Sequence, residues 1–199
     1  KEIDSWFEKD DLNKSLEIEE SDPTMVIGRD WLARAGKRWR PFLTVCSWKA
    51  CQDDPGAKTT KDLKRLALAV ECFHKASLIH DDIEDNDSDR YGEKTLHEEH
   101  GVPVALNVGD YLLGEGYRLI AETKVPAKRR AEMLRVAALG HRALSRGQGA
   151  ELSWANDPKP MPSRKVLEIF TNKTAPAFEV ALQLGAIHAG ADPATREVL

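Results

Sequence analysis

Cysteine is scarce in this 199-residue sequence, and the three present, Cys46, Cys51 and Cys72, form no Cys-x-x-Cys pair. An odd number without that spacing argues against a disulfide framework and a zinc site, and suits a reducing compartment. There is no run of about 18 apolar residues, so no transmembrane helix and no stable membrane insertion are predicted. The opening Lys1-Glu2-Ile3-Asp4-Ser5-Trp6 has no secretory signal pattern. These absences make a cytoplasmic location the expectation. An excess of positive charge is also missing, the formal net charge being −4, which argues against a dedicated nucleic-acid binder. A nucleic-acid reading would rest only on residues 37–40 and on Lys128-Arg129-Arg130. The chain has no initiator Met and stops inside a starting helix, so it reads as a fragment.

Strand signals are nearly absent too: there is little alternation and no Asn-Gly turn. Hydrophobic residues make up 41%, close to the globular norm, and the length suits a single domain over 1–199. Helical patterns run throughout. Helices are predicted over 4–20, 24–35, 41–51, 60–85, 103–123, 126–154 and 162–189, and Asp192-Pro193 starts another. Asp53-Asp54-Pro55-Gly56 breaks one helix, Thr60 caps the next, and the segment 86–101 reads as irregular. Pro176 should kink the 162–189 helix or break its hydrogen-bond ladder. The expected fold is all-α, an antiparallel helical bundle with a ligand site built from facing side chains.

The most informative stretch is His80-Asp81-Asp82-Ile83-Glu84-Asp85-Asn86-Asp87-Ser88-Asp89-Arg90, with six acids in nine residues at the end of a mostly apolar helix. The helix dipole disfavours acids there, so something should compensate them. Asp81 and Asp85 are one turn apart and share a face, about 6 Å apart along the axis. Two hard carboxylates facing one way suit Mg²⁺, which takes one or two protein carboxylates and completes its shell with water and phosphate oxygens. Arg90 can fork onto a phosphate. A solvated acidic loop is the plainer alternative, although Ala76-Ser77-Leu78-Ile79 just before it is too apolar for an exposed linker. The spacing fails for an EF-hand.

A second cluster, Gly36-Lys37-Arg38-Trp39-Arg40-Pro41, puts three cations at a helix start, where free N–H groups and positive side chains together can hold an anion. Surface charge or a nucleic-acid patch are the alternatives. His74 lies two turns before Asp81 on the same face. Lys173-Thr174 precedes Pro176, where a break would aim both side chains inward. Gln148 and Glu151 share a face, and Gly147 and Gly149 beside them suggest a close helix approach.

Taken in order, these stretches resemble the trans-polyprenyl diphosphate synthase family. Its Gly-Lys-x-x-Arg-Pro motif is matched by residues 36–41, its upstream His by His74, and its first aspartate-rich motif by Asp81-Asp82-Ile83-Glu84-Asp85. Gly109-Asp110, Gly147-Gln148 and Lys173-Thr174 match further pairs, so the likeness runs from about residue 36 to 188. It implies an isoprenoid synthase fold and a Mg²⁺-dependent prenyltransferase joining isopentenyl diphosphate to an allylic diphosphate. By the same resemblance Lys37, Arg40 and His74 hold the isopentenyl diphosphate. Asp81 and Asp85 bind Mg²⁺ with support from Asp82, and Arg90, Lys173 and Thr174 contact the allylic diphosphate. Gln148 belongs with the substrate-binding set, and a homodimer is implied.

The sequence departs from the family twice. Tyr91 stands where a second Arg is usual and cannot fork onto phosphate, and the second aspartate-rich motif is missing from these 199 residues. A non-catalytic subunit of a heteromeric synthase is therefore the alternative. A terpene cyclase fits less well, having no need of a second diphosphate site. For product length, Ser77 and Ala76 are small and leave room below Asp81, while Phe73, about 12 Å down the axis, could act as a floor. A product longer than farnesyl is expected.

Overall fold

The computed structural model describes residues 2–52, 54 and 56–199. Among the described residues there are ten helices and one two-stranded ribbon, as the all-α expectation requires. The chain divides into two compact units, one built from the residues up to Phe42 with Thr59–Lys124, the other from Leu43–Lys58 with Val125–Leu199.

The first unit opens with α1 (Glu2–Ser5) and α2 (Lys9–Leu16) rather than one helix over 4–20. The cause is a pair of adjacent aromatics. Trp6 and Phe7 are both buried, whereas neighbours on a continuous helix point about 100° apart. Tight turns from Trp6 N–H to Ile3 O and from Phe7 N–H to Asp4 O break the helix so that both rings turn inward. Helix α3 (Pro23–Ala33) starts on the Asp22 carboxylate, which accepts from Thr24 and Met25 N–H, with Pro23 at the first position.

Helix α5 (Lys61–Glu84) starts where predicted, the Thr60 hydroxyl accepting from Leu63 N–H at 3.0 Å. It is not amphipathic in its middle. Every residue from Leu66 to Cys72 is buried, so α5 is the central helix of this unit. Helix α7 (Val102–Ala121) runs antiparallel to it. Gly109 faces the His80 ring and Gly116 faces Phe73, so a seven-residue step on one helix matches a reversed seven-residue step on the other. At Gly116 a Cβ would come within 2.5 Å of the Phe73 ring, and glycine lets the ring lie on the α7 backbone. Helix α3 follows α7 in the same direction, Thr24 meeting Asn107 and Gly28 meeting Tyr111.

The stretch expected to be irregular holds a ribbon, β1 (Asp89–Arg90) with β2 (Glu93–Lys94), then the short α6 (Leu96–His100). Tyr91 and Gly92 at its tip have φ of 57° and 82°, the left-handed pair of a tight hairpin turn. Thr95 closes the loop, its N–H donating to Ser88 O and its hydroxyl to Asp87 O.

Helix α4 (Trp39–Ala50) starts two residues before Pro41, and its end near Cys51 matches the prediction. Of the predicted breaker that follows it, Asp53 and Pro55 lie outside the described residues. In the second unit, α8 (Ala127–Asn156) and α9 (Ser163–Ala189) pack antiparallel: Gly140 meets Val180, and Gly147 meets the backbone of Asn172 and Lys173. The expected close approach is made by Gly147 alone, since Gly149 faces open space. Helix α9 is continuous through Pro176, which has no N–H to donate. Gly190 ends it in the left-handed conformation, and α10 (Pro193–Glu197) begins on the Asp192 carboxylate. Gly185 seats α4, a Cβ there meeting the Thr44 carbonyl and, at 2.9 Å, Trp48 N.

Candidate functional site

The acidic cluster sits where α5 ends. Asp81 is half-buried, Asp82 fully buried and Asp85 exposed, with Asp85 N–H closing the last turn onto Asp81 O at 2.8 Å. The compensation demanded by the helix dipole is Arg90. Its Nε donates to Asp82 Oδ1 at 2.5 Å and its Nη2 reaches the same oxygen. Burial raises the Asp82 pKa against the pull of Arg90. Burial also works against the Arg90 charge, but the Asp82 hydrogen bond and charge outweigh it, so the Arg90 pKa is raised. Arg90, expected on an allylic diphosphate, is thus held by a carboxylate of the same motif.

Asp82 Oδ2 is buried and has no hydrogen-bond partner. Among the described residues no three His, Cys, Asp or Glu side chains are gathered as a metal cage. The donors fit Mg²⁺ all the same. Asp81 and Asp85 offer hard oxygens at the accessible helix end, and Mg²⁺ needs no more than one or two carboxylates when phosphate oxygens and waters complete its shell.

The three cations of the second cluster separate. Arg38, in the left-handed conformation at φ 52°, turns inward. It donates to Glu71 Oε1 at 2.5 Å, to Leu32 O at 2.7 Å and to Arg34 O at 2.9 Å, and it lies 4.2 Å from the centre of the Phe7 ring. An anion is therefore left with Lys37, which is exposed, and Arg40, which is half-buried. Burial lowers the Arg40 pKa, with Glu71 and Tyr91 opposing.

His74 lies in the same field. Burial brings its pKa down to about 3, helped by Arg40, Lys75, Arg38 and Arg90. Of the four cations that act on it, Arg38 pairs with Glu71, and Arg90 with Asp82 and Asp87. The surroundings of His74 are electropositive and suit a multiply charged anion. Tyr91, mostly exposed at the hairpin tip, is close enough to act on both Arg40 and Arg90. A guanidinium there would add to this field, which a neutral phenol does not.

Of the residues proposed for product length, Phe73 is half-buried and meets Tyr117 edge-on at 4.9 Å. Ala76 is fully buried, and Ser77 is exposed with its hydroxyl on His74 O. In the second unit, Lys173 Nζ pairs with Glu151 Oε2 at 2.6 Å, Gln148 is half-buried, and Thr174 is exposed. Gly147 brings the backbones of these helices together, which places Lys173 beside the Gln148–Glu151 turn.

Sequence reasoning missed Arg34, Glu71 and Lys75. Their signal was present: Glu71 and Lys75 are charges four apart within an otherwise apolar run, flanking His74. Both are buried, Glu71 on Arg38 and Lys75 on the Arg34 and Ala35 carbonyls.

The family model described as polyprenyl synthetase matches residues 26–199. A short chain isoprenyl diphosphate synthase of Methanocaldococcus jannaschii is 30% identical over 198 residues, covering 97% of this chain and 58% of its own length. A farnesyl diphosphate synthase of Geobacillus stearothermophilus is 33% identical over 175 residues, covering 84% and 57%. Among solved structures, a geranylgeranyl pyrophosphate synthase superposes with a TM-score of 0.87 at 28% identity, covering 99% of this chain and 57% of that one. An FPP/GFPP synthase from Zymomonas mobilis superposes at 0.84 and 27% identity, covering 98% and 70%. The chain thus spans less than two thirds of the length of these curated relatives.

Proposed function

Because this chain belongs to the polyprenyl synthetase family and has the helical fold of the prenyl synthases it superposes on, we propose that the protein containing it is a Mg²⁺-dependent trans-prenyltransferase. It condenses isopentenyl diphosphate with an allylic prenyl diphosphate, giving a longer prenyl diphosphate and pyrophosphate. The observation that carries this is the electropositive surround of His74, with Arg40 and Arg90 acting on it, two turns along one helix from the Asp81–Asp85 carboxylates.

On this reading Lys37, Arg40 and the neutral His74 bind the isopentenyl diphosphate, and Asp81 and Asp85 would hold Mg²⁺ for the allylic diphosphate. When bound there, Mg²⁺ would supply positive charge that favours departure of the diphosphate. Arg90, set by the buried Asp82, adds a fixed donor toward the same group, and Lys173, Thr174 and Gln148 are kept as substrate contacts on the family resemblance alone. The allylic C–O bond breaks with its electron pair going to diphosphate, the isopentenyl double bond attacks the freed carbon, and a proton is lost to restore a double bond. Residues 1–199 are read as part of one synthase domain, supported by the unbroken family match from residue 26. A cytoplasmic homodimer belongs to this reading. Its support is family membership.

The test is incorporation of labelled isopentenyl diphosphate into lipid, with Mg²⁺ and geranyl or farnesyl diphosphate, by the longest natural chain that contains this sequence. Asp81→Ala should lower incorporation by at least about a hundredfold. No incorporation by a folded, unmodified protein overturns the enzyme reading. The reading that replaces it is a non-catalytic subunit, with Tyr91→Arg as the first reversion to try.

A further inference from the structure

Lys75 is a buried cation with no role in the chemistry proposed above. Its residue is 2% exposed, and among the described residues no carboxylate forms an ion pair with it. Its Nζ instead donates to Arg34 O at 3.2 Å and Ala35 O at 3.4 Å, carbonyls that leave the end of α3 and lead into Gly36 and Lys37. The last carbonyls of a helix carry partial negative charge and lack partners along the chain. Lys75 caps them from α5, one residue along from His74. Arg38 caps the same end on Leu32 O and Arg34 O, and Glu71 holds Arg38.

The other end of this clamp is Arg34. Its carbonyl takes both Lys75 and Arg38, while its guanidinium donates to Lys94 O at 2.8 Å and Glu99 Oε2 at 2.5 Å, and lies 3.4 Å from Glu93 Oε2. Lys94 and Glu93 form the strand paired with Asp89 and Arg90. One residue therefore joins the basic loop to the Arg90 hairpin. Trp31 supports the join: Arg34 and Lys75 both lie against its ring, at 4.9 and 5.4 Å, and its indole N–H donates to Lys75 O.

We propose that Lys75 is a positioning residue for diphosphate binding: acting through the Arg34 and Ala35 carbonyls, it holds the loop that carries Lys37 and leads into the first turn of α4, where Arg40 sits. The proposal rests on the function above, in which that loop binds isopentenyl diphosphate. Burial, helped by Arg38, lowers the Lys75 pKa to about 8, so its charge sits in a strained balance while Glu71 supports it.

Lys75→Met keeps the packed stem and removes the donors. In the full protein it should raise the KM for isopentenyl diphosphate about tenfold, with kcat and the KM for the allylic substrate within about twofold. Lys75→Arg should recover part of the loss. In parallel, inorganic pyrophosphate is titrated with EDTA present into the unmodified protein, Lys75→Met and Lys37→Ala. Both variants should bind it about tenfold more weakly. Should Lys75→Met unfold, Lys75→Gln takes its place, and hydrogen exchange over 34–40 should be faster than in the unmodified protein. Unchanged isopentenyl KM and unchanged pyrophosphate affinity in a folded Lys75 variant overturn this proposal and leave the synthase reading standing. Pyrophosphate binding that depends on Lys37 and Lys75, without turnover by the unmodified protein, overturns the synthase reading and leaves the positioning role standing. Failure of the unmodified protein to bind pyrophosphate or turn over overturns both.

Discussion

His74 shows how far one side chain can be displaced from its ordinary chemistry. Burial and four neighbouring cations hold its pKa near 3, so it is neutral around pH 7 and, on the proposed reading, would offer a diphosphate a hydrogen bond rather than a charge. The linkage has a definite sign. Between about pH 6.5 and 3 the unfolded chain binds a proton at His74 that the folded chain does not, so stability falls as pH falls through this window. His74→Asn should flatten that fall. The loss of stability from pH 7 to pH 4, measured by urea unfolding, should be smaller in the variant by on the order of 2 kcal/mol. Groups common to the two proteins cancel in the difference between them. An equal fall in both proteins would remove His74 as the cause. That His74 shares a helix face with Asp81 was readable from the spacing of the two residues. That it is neutral was not readable, because Arg40 and Arg90 reach it from segments 34 residues before and 16 residues after it in the sequence.

At the scale of elements, contacts between helices are decided by where a side chain is missing. Gly147 and Gly149 look alike in sequence, two residues apart in one helix. A Cβ on Gly147 would lie 2.5 Å from Lys173 N, a backbone atom that cannot swing aside, whereas Gly149 meets nothing within 4 Å. Gly147→Ala should therefore destabilise by about 2–3 kcal/mol through forced separation of α8 and α9. Gly149→Ala should stabilise by about 0.5–1 kcal/mol through helix propensity. Thermal unfolding of both variants checks this, and the same sign for both would refute the packing account. Local signals located helix ends such as the Thr60 cap, which sits where the sequence puts it. They failed where a tertiary demand overrode local preference. Trp6 and Phe7 split the first helix so that both could be buried, and Tyr91-Gly92 made a hairpin turn without the Asn-Gly signal that would have announced it.

For the molecule as a whole, product length is the property that tests the synthase reading most directly. Ser77 is small and exposed, one turn below Asp81, and Phe73 lies a further turn back against Tyr117 and Gly116. A chain growing from the Asp81 end would pass Ser77 before meeting Phe73, which supports a product longer than farnesyl. Ser77→Phe should shorten that product by one or more isoprene units, read by mass, and an unchanged product length would remove Ser77 from the pocket. The sequence alone determined the helical class, the family, and the ordered charged motifs, because these depend on periodicity and spacing along one chain. Only the tertiary structure decided what each charge does. Arg38 and Asp82 stand in the same charged stretches as Arg40 and Asp81, yet they are turned inward onto Glu71 and Arg90. A buried charge must find a partner, and that partner comes from another part of the fold rather than from the motif.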